Sequence, residues 1–305
     1  MDYKKLIKSR ELRIQILHML DFIPDRWMVS LQYRIKLGRW PNLKNPQRYS
    51  EKLQWYKLNY RDDKMKRCTD KQEVRDYVSE CGYAGILNEQ YGLYNSPDEI
   101  DFEKLPKSFV IKDTLGSGGN SVILVFNKDE EDIEKLCEIL KEWVNKSDQA
   151  KNPGREWVYE GVKHRIIIEK LIMGDENGDL PDYKFFCFNG KPYCLYLMKN
   201  YTMHHEEGIL GFLSPDFVLL PAHRSDFNKM TEQPEKPENY ERMLEIATKL
   251  SEGFPHVRVD MYNVNGKIIF GEMTFFNASG YVKFEPDEFD YLMGSNFLLP
   301  ELHVV

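Results

Sequence analysis

Two Asn-Gly pairs, Asn189-Gly190 and Asn265-Gly266, constrain the fold of this chain more than any other feature of its sequence. Each pair separates two runs rich in β-branched and aromatic residues, and Asn-Gly is the preferred two-residue turn between antiparallel strands. Further strands are predicted after Pro106, and helices interrupt them at about 130–145 and 237–251. Because this order lacks regular βαβ alternation, we predict an α+β fold with antiparallel sheets.

The chain changes character along its length. Residues before Pro106 show helical spacing of apolar residues, and the β-rich runs follow it. We predict four segments. A basic helical N-terminal extension covers 1–48, a helical lead-in or first lobe covers 49–105, and two α+β subdomains cover 106–172 and 173–305.

Charge and composition exclude several classes of protein. With 42% hydrophobic and 30% charged residues the chain is typical of a globular protein. A net charge of −7 argues against general nucleic-acid binding. The longest apolar runs are far shorter than a membrane span, and the N-terminus lacks the apolar core of a signal peptide. The five cysteines form no C-x-x-C pair, so we expect reduced thiols in a cytoplasmic protein.

The familiar nucleotide motifs are missing, but a lysine precedes a flexible glycine loop. We find no P-loop, no Rossmann glycine motif and no kinase catalytic loop. Lys112 ends a predicted strand, and the glycine-rich run 116–120 (GSGGN) follows it. A lysine can neutralise phosphate charge there, and glycines let backbone N–H groups approach phosphate oxygens. A plain surface hairpin is the alternative interpretation.

Two further strands carry polar residues that suit a nucleotide. The strand at 165–171 runs into Asp175 and Glu176, which could accept ribose hydroxyls, although a core strand with a solvated turn explains the pattern equally well. Lys184 lies two residues after Asp182 on one strand face, and Lys199 follows on the paired strand. Internal ion pairing is the alternative explanation for these charges.

The hairpin at 257–272 is the most informative segment. Arg258 and Asp260 share one strand face, and counting outward from the turn places Glu272 nearly opposite Asp260. Two adjacent carboxylates repel each other unless a cation lies between them. Carboxylate oxygens, together with phosphate oxygens, are the ligands that Mg²⁺ prefers. A solvated strand edge with Arg258 as the internal counter-ion is the alternative.

In their order and spacing these segments resemble the TupA-like branch of the ATP-grasp superfamily, which is associated with bacterial teichuronopeptide and capsular polysaccharide biosynthesis. The resemblance covers roughly residues 45–300. The segments that carry it are 49–55 (YSEKLQW), 70–71 (DK), 109–112 (FVIK), 116–120 (GSGGN), 154–157 (GREW), 168–171 (IEKL), 182–190 (DYKFFCFNG), 254–260 (FPHVRVD) and 271–275 (GEMTF).

The resemblance implies an ATP-grasp fold, in which two α+β subdomains grip the nucleotide, and a set of ATP-binding residues. Lys112 would hold the α- and β-phosphates. The loop that closes over them would be Gly116, Ser117, Gly118, Gly119 and Asn120. The adenine pocket would be lined by Glu169, Lys170, Leu171 and Ile172. The ribose would be held by Asp175 or Glu176.

The resemblance also implies a metal site and a reaction. Lys184 and Lys199 would hold phosphate charge, and Arg258 would steady an acyl phosphate or its oxyanion. Mg²⁺ would be held by Asp260 and Glu272. The superfamily usually has Glu-x-Asn at this point, whereas Thr274 stands here in the asparagine position. Thr274 or Asn277 would supply the remaining oxygen.

The expected function is ATP-dependent amide formation between a carboxylate and an amine. The carboxylate would attack the γ-phosphate of MgATP, and the amine would then attack the acyl phosphate. A histidine in the variable stretch 200–230 could take the amine proton, although a solvated loop histidine is the simpler interpretation. Two alternatives stay open, namely a glycosyltransferase of surface-glycan assembly and a non-catalytic glycan-pathway binding protein, for which the threonine at 274 is the best support.

The N-terminal segment has a charge of its own. Residues 1–48 contain eleven Lys/Arg and four Asp/Glu, so the remainder of the chain carries −14. Two basic amphipathic helices could contact an anionic membrane surface. The alternative is a helical appendage that packs on the acidic body.

Overall fold

The computed structural model of the chain describes residues 9–116, 121–146, 151–175, 178–201 and 207–301. Its α-helices within these ranges are α1 (Arg10–Met19), α2 (Asp25–Leu37), α3 (Tyr49–Asn59), α4 (Asp63–Thr69), α5 (Glu73–Glu80), α6 (Ile133–Val144), α7 (Tyr240–Ser251) and α8 (Glu288–Asn296). None of these helices combines the length and the apolarity that crossing a membrane requires.

The strands form three sheets. The strands are β1 (Gln90–Tyr94), β2 (Phe109–Asp113), β3 (Val122–Val125), β4 (Ile166–Glu169), β5 (Asp182–Phe188), β6 (Lys191–Lys199), β7 (Ile209–Leu213), β8 (His223–Arg224), β9 (Asn228–Lys229), β10 (His256–Val264), β11 (Lys267–Thr274) and β12 (Phe284–Glu285). The small sheet has the order β1-β4-β2-β3, the large sheet β11-β10-β5-β6-β7-β9, and β12 pairs with β8. All pairings are antiparallel except β7 with β9.

The two Asn-Gly turns form as predicted. Asn189 and Gly190 have φ values of 49° and 75°, and Asn265 and Gly266 have 50° and 74°. A type I′ turn requires positive φ at both of its central residues, and its twist matches that of the two strands in a hairpin. These turns join β5 to β6 and β10 to β11, so they fix the registers of four of the six strands in the large sheet.

The large sheet separates a core face from a site face. On β5, Phe185 stacks on Tyr240 of α7 with ring centroids 6.1 Å apart, whereas Phe186 points to the other side and meets Tyr49 of α3 at 6.0 Å. Since strand side chains alternate, the side chains of Asp182 and Lys184 lie on the same face as Phe186, away from α7. The small sheet has its own core, in which Leu136 and Leu140 of α6 pack on β2 and β4.

Two short helices meet at Asp70 and Lys71. Helix α4 ends at Thr69, and α5 begins at Glu73. The carboxylate of Asp70 accepts hydrogen bonds from the backbone N–H groups of Gln72 and Glu73, at 2.8 and 3.1 Å. Asp70 therefore holds the start of α5, and Lys71 lies in the junction between the two helices.

Candidate active site

A cluster of cations lies at the ends of β2 and β4 in the small sheet. The buried carboxylate of Glu169 accepts hydrogen bonds from Lys112 Nζ on one oxygen and from Arg75 Nη1 of α5 on the other, both at 2.7 Å. One carboxylate thus faces two cations. The cluster carries net positive charge and suits an anion.

Lys71 extends this cluster towards the large sheet. Its backbone N–H donates to Thr114 O at 2.9 Å, and its ammonium donates to Gly116 O. Burial lowers the pKa of Lys71, and the nearby carboxylate of Glu272 opposes that change. Lys71 therefore lies within electrostatic reach of both sheets.

A narrow cleft separates the small sheet from the edge strand of the large one. Its lining comprises Lys71, Arg75, Leu87, Asn88, Lys112, Glu169, Phe270 and Gly271. Gly271 is the extra residue of a bulge, because Asp260 pairs with Glu272 and the next residue, Met261, pairs with Phe270. A Cβ atom at Gly271 would lie only 3.0 Å from Asp260 O, so this position favours glycine.

Strand register brings an acidic cluster together on the large sheet, beside the part of β11 that lines the cleft. Asp260 pairs with Glu272 on β11 and with Lys184 on β5. Lys184 Nζ donates to Asp260 Oδ2 at 2.6 Å and also forms an ion pair with Asp182. Three carboxylates therefore meet Lys184 and Arg258 on one face of the sheet.

Arg258 is the centre of this cluster. Its Nε and Nη2 donate to the two oxygens of Asp260 at 2.7 and 2.6 Å, and Nη2 also reaches Glu272 Oε1 at 3.0 Å. Nη1 donates to Asn277 Oδ1 and to Tyr196 Oη. A bidentate arginine held on three sides keeps one orientation, which is what a group that must meet developing charge requires.

Electrostatics differ among the three carboxylates. Burial would raise the pKa of Glu272, but Arg258, Lys184 and Lys71 outweigh burial and lower that pKa to about 2. Burial raises the pKa of Asp182 to about 6, against the attraction of Lys184. The cations thus favour the ionised form of Glu272, whereas burial opposes ionisation of Asp182.

The oxygen donors of this cluster fit Mg²⁺. Asp260 has both oxygens bound by Arg258 and Lys184, whereas the Glu272 side chain is 43% exposed and hydrogen-bonds through Oε1. The buried Asp182 Oδ1 has no hydrogen-bond partner. Across the residues that the structure describes, no group of three or more His, Cys, Asp or Glu side chains could hold a metal. Mg²⁺ commonly binds one or two carboxylates and takes its remaining ligands from substrate phosphates and water.

The other predicted site residues lie in varied places. Thr274 joins the cluster, accepting from Arg258 Nη2 at 3.0 Å and donating to Glu272 Oε1 at 3.1 Å. Lys170 is exposed, Leu171 is buried and Ile172 is half-buried. Asp175 accepts from the backbone of Asp179 in a turn. The predicted residues Ser117, Gly118, Gly119, Asn120 and Glu176 lie outside the described residues.

Lys199 is not brought into the cluster. Met198 pairs with Asp182 and Tyr196 with Lys184, so these two side chains share the site face, and alternation assigns Lys199 to the opposite face. Lys199 is also exposed at the end of β6. Its predicted contact with phosphate stays a prediction that this placement does not favour.

Sequence reasoning missed four contributors, namely Lys71, Arg75, Asp182 and Tyr196. Lys71 and Asp182 belong to segments of the family resemblance, but neither was assigned to nucleotide or metal binding, and Asp182 was considered only as an ion-pair partner. Arg75 has the spacing of an ordinary exposed helix residue, and its role follows only from the packing of α5 against β4. Tyr196 lies one strand beyond Lys184, and only the β5–β6 register brings it to Arg258.

A family model for TupA-like ATP-grasp proteins matches residues 51–298, and the chain belongs to this family. The predicted family and its ATP-grasp fold are thereby confirmed. No curated protein sequence matches the chain significantly.

Several solved ligases are similar at low identity. A D-alanine–D-alanine ligase from Bacillus anthracis is 19% identical, with 68% of this chain and 57% of that one covered and a TM-score of 0.42. The corresponding ligase from Helicobacter pylori is 14% identical, with coverages of 81% and 67% and a TM-score of 0.45. An L-amino acid ligase from Bacillus licheniformis is 14% identical, with coverages of 74% and 46% and a TM-score of 0.43. The chain thus spans little more than half the length of the first of these ligases.

Proposed function

We propose that this protein is an ATP- and Mg²⁺-dependent ligase that joins a carboxylate to an amine through an acyl phosphate. The observation that carries the proposal is the proximity of two oppositely charged clusters. Lys71 lines the cleft together with Lys112 and Arg75, and the carboxylate of Glu272 on the large sheet lies near enough to Lys71 to oppose the lowering of its pKa. A magnesium-bound triphosphate carries both charges, so it complements both sides.

The residues of the small sheet would bind and align the nucleotide. Lys112 and Arg75 would exchange part of their contact with Glu169 for phosphate oxygens, and Lys71 would approach from the helix junction. The connector after β4, which includes Lys170, Leu171 and Ile172, would accept the adenine edge, and Asp175 would accept ribose hydroxyls. Alignment of the reacting groups supplies much of the rate in such a transfer.

The residues of the large sheet would handle the charge that moves. Glu272 and Asp182 would hold Mg²⁺ in company with phosphate oxygens, with Asp260 and Asn277 fixing Arg258 beside them. When bound, Mg²⁺ would neutralise charge on the transferring phosphoryl group. Arg258 would hold oxygens of the acyl phosphate, whose phosphate leaves when the amine attacks its carbonyl carbon.

We further propose that the substrates belong to the assembly of a bacterial surface polysaccharide, such as a capsule or teichuronopeptide. Membership of the TupA-like family supports this choice. The carboxylate and the amine would be small molecules or groups carried on a glycan.

Trapping the acyl phosphate tests the reaction directly. The full chain is incubated with MgATP, a panel of candidate acids and hydroxylamine, which attacks an acyl phosphate to give a hydroxamate and phosphate. We expect hydroxamate and ADP in equal amounts with wild type and with Lys107→Ala, a control at an exposed lysine. Asp260→Asn should remove both products.

Two results would contradict the proposal. If calorimetry detects no MgATP binding, the site is not catalytic. If the protein binds a UDP-sugar and not ATP, it is a glycosyltransferase.

A further inference from the structure

The N-terminal helices expose an unusual amount of apolar surface. Half of the large exposed apolar side chains in the described part of the chain lie between residues 12 and 40. They are Leu12, Met19, Phe22, Trp27, Leu31, Ile35 and Trp40, with Phe22 81% and Trp27 71% exposed. Single exposed apolar residues are normal on a protein surface, but such a concentration marks an interaction site.

Helix α2 is fixed on the body by its other face. Met28, Val29 and Tyr33 are buried, and Gln32 Nε2 donates to Pro153 O at 2.8 Å. With 3.6 residues per turn, Trp27, Leu31 and Arg34 lie opposite this packed face. We call Trp27, Leu31, Arg34 and Ile35 the outer face. The sequence left two possibilities for this segment, contact with a membrane and packing on the body. One side of α2 packs on the body, and the outer face stays exposed.

In the N-terminal region, two acidic side chains face the body of the protein and two arginines are exposed. Residues 9–48 contain eight Lys/Arg and three Asp/Glu. Two of the acids face the body, because Asp21 pairs with Arg155 at 3.0 Å and Asp25 pairs with Lys151 at 2.9 Å. Arg26 and Arg34 are exposed. Since Asp21 and Asp25 are engaged by the body, the surface around Arg26 and Arg34 on α2 is left basic.

We propose that the outer face of α2 docks on an anionic lipid bilayer. A helix with aromatic and aliphatic residues on one side and Lys/Arg beside them is typical of a segment that lies in the membrane interface. The apolar side chains enter the headgroup boundary, and the arginines meet anionic headgroups. With 13 residues, α2 is too short to span the bilayer and lies in its plane.

Docking would bring the candidate active site close to lipid. The Lys36 ammonium lies 4.1 Å from the ring centroid of Tyr281, and the rings of Tyr33 and Tyr281 are 6.5 Å apart. Tyr281 directly follows the turn Asn277–Gly280, whose first residue binds Arg258. A bilayer on the outer face would thus lie about one helix diameter, ~10 Å, from that turn. A substrate attached to lipid would suit this geometry. This inference about the substrate rests on the proposed function, whereas the docking of α2 on lipid does not.

Vesicle flotation tests the proposal with the full chain. We expect binding to phosphatidylglycerol vesicles and much weaker binding to phosphatidylcholine vesicles, with a blue shift of tryptophan emission on binding. Trp27→Ala/Leu31→Ala should lower the partition coefficient about tenfold or more, because two large apolar side chains no longer enter the interface. Arg26→Glu/Arg34→Glu should remove the preference for anionic lipid. Phe126→Ala/Leu298→Ala, which removes two exposed apolar side chains elsewhere, should bind like wild type.

Three results would overturn the proposal. Wild type could fail to float with anionic vesicles at low salt, or the Trp27→Ala/Leu31→Ala protein could float as well as wild type. Sedimentation could instead reveal a dimer that this double variant dissociates, which would assign the outer face to a second copy of the chain. Since none of these residues touches the ATP cleft, unchanged MgATP binding by each variant verifies its fold and separates this test from that of the ligase.

Discussion

The cation cluster of the small sheet and the acidic cluster of the large sheet have opposite balances of charge. On the small sheet, Lys112 and Arg75 share the single carboxylate of Glu169, and the Lys112 side chain remains partly exposed. On the large sheet, Arg258 and Lys184 face three carboxylates in a largely buried network. The first side has cations in excess and the second has anions in excess.

This difference indicates how each cluster would respond to a bound anion or to the loss of a charged side chain. A partly exposed cation can exchange one partner for another, so the small sheet can bind an anion with little loss of stability. In a largely buried network, removing one charged member leaves the others uncompensated. The small sheet should therefore determine nucleotide affinity, and the large sheet should determine both stability and chemistry.

The largest effect is expected for Asp260→Asn. The variant leaves Arg258 and Lys184 without their shared carboxylate, which should reduce the free energy of unfolding by about 3 kcal/mol. Hydroxamate formation should be lost as well. Urea unfolding measures the stability, and Asp129→Asn at an exposed aspartate is the matched control. Wild-type stability in Asp260→Asn would contradict the contrast between the two sides.

Lys112→Ala should show the reverse pattern. We expect ATP affinity to fall about 10- to 100-fold, because a charge-assisted contact to phosphate is lost. Stability should change by less than about 1 kcal/mol, because the Glu169 carboxylate keeps its ion pair with Arg75 and the Lys112 side chain is partly exposed. Calorimetry with MgATP and urea unfolding measure the two quantities. A large loss of stability with unchanged affinity would assign Lys112 a structural role instead.

The pH dependence of stability should carry a contribution from Glu272. Its pKa is lowered from 4.5 to about 2 in the folded protein, so its contribution is fully present above the unfolded value and is lost as pH falls from 4.5 towards 2. Glu272→Gln should therefore be less stable than wild type at about pH 6, and the difference should shrink at about pH 3. Urea unfolding at both pH values tests the sign. A difference that is independent of pH would show that Glu272 contributes no charge to the network.

The smallest effect is expected for Lys199→Ala. Since strand alternation assigns this side chain to the face opposite Lys184, kcat/KM should change less than about threefold. Lys184→Met, by contrast, should lose activity, as is expected for Asp260→Asn. Equal losses in Lys199→Ala and Lys184→Met would place Lys199 in the phosphate site after all.

The sequence predicted local features of the fold well and long-range contacts less well. The Asn-Gly turns require only four residues each, so the hairpins and the pairing of Asp260 with Glu272 could be derived by counting. The contact of Arg75 with Glu169 depends on how α5 packs on the small sheet, which no local pattern encodes. Alternation on β6 could have excluded Lys199 from the site face, but only once its register with β5 was known.

A crystal structure with Mg²⁺ and a non-hydrolysable ATP analogue tests most directly whether one cleft holds the magnesium-bound triphosphate. We predict phosphate oxygens within hydrogen-bond distance of Lys112 Nζ and a metal ion that joins the Glu272 carboxylate to the same phosphates. A nucleotide bound away from the cleft, or a triphosphate in the cleft with its metal remote from Glu272, would contradict the proposed site.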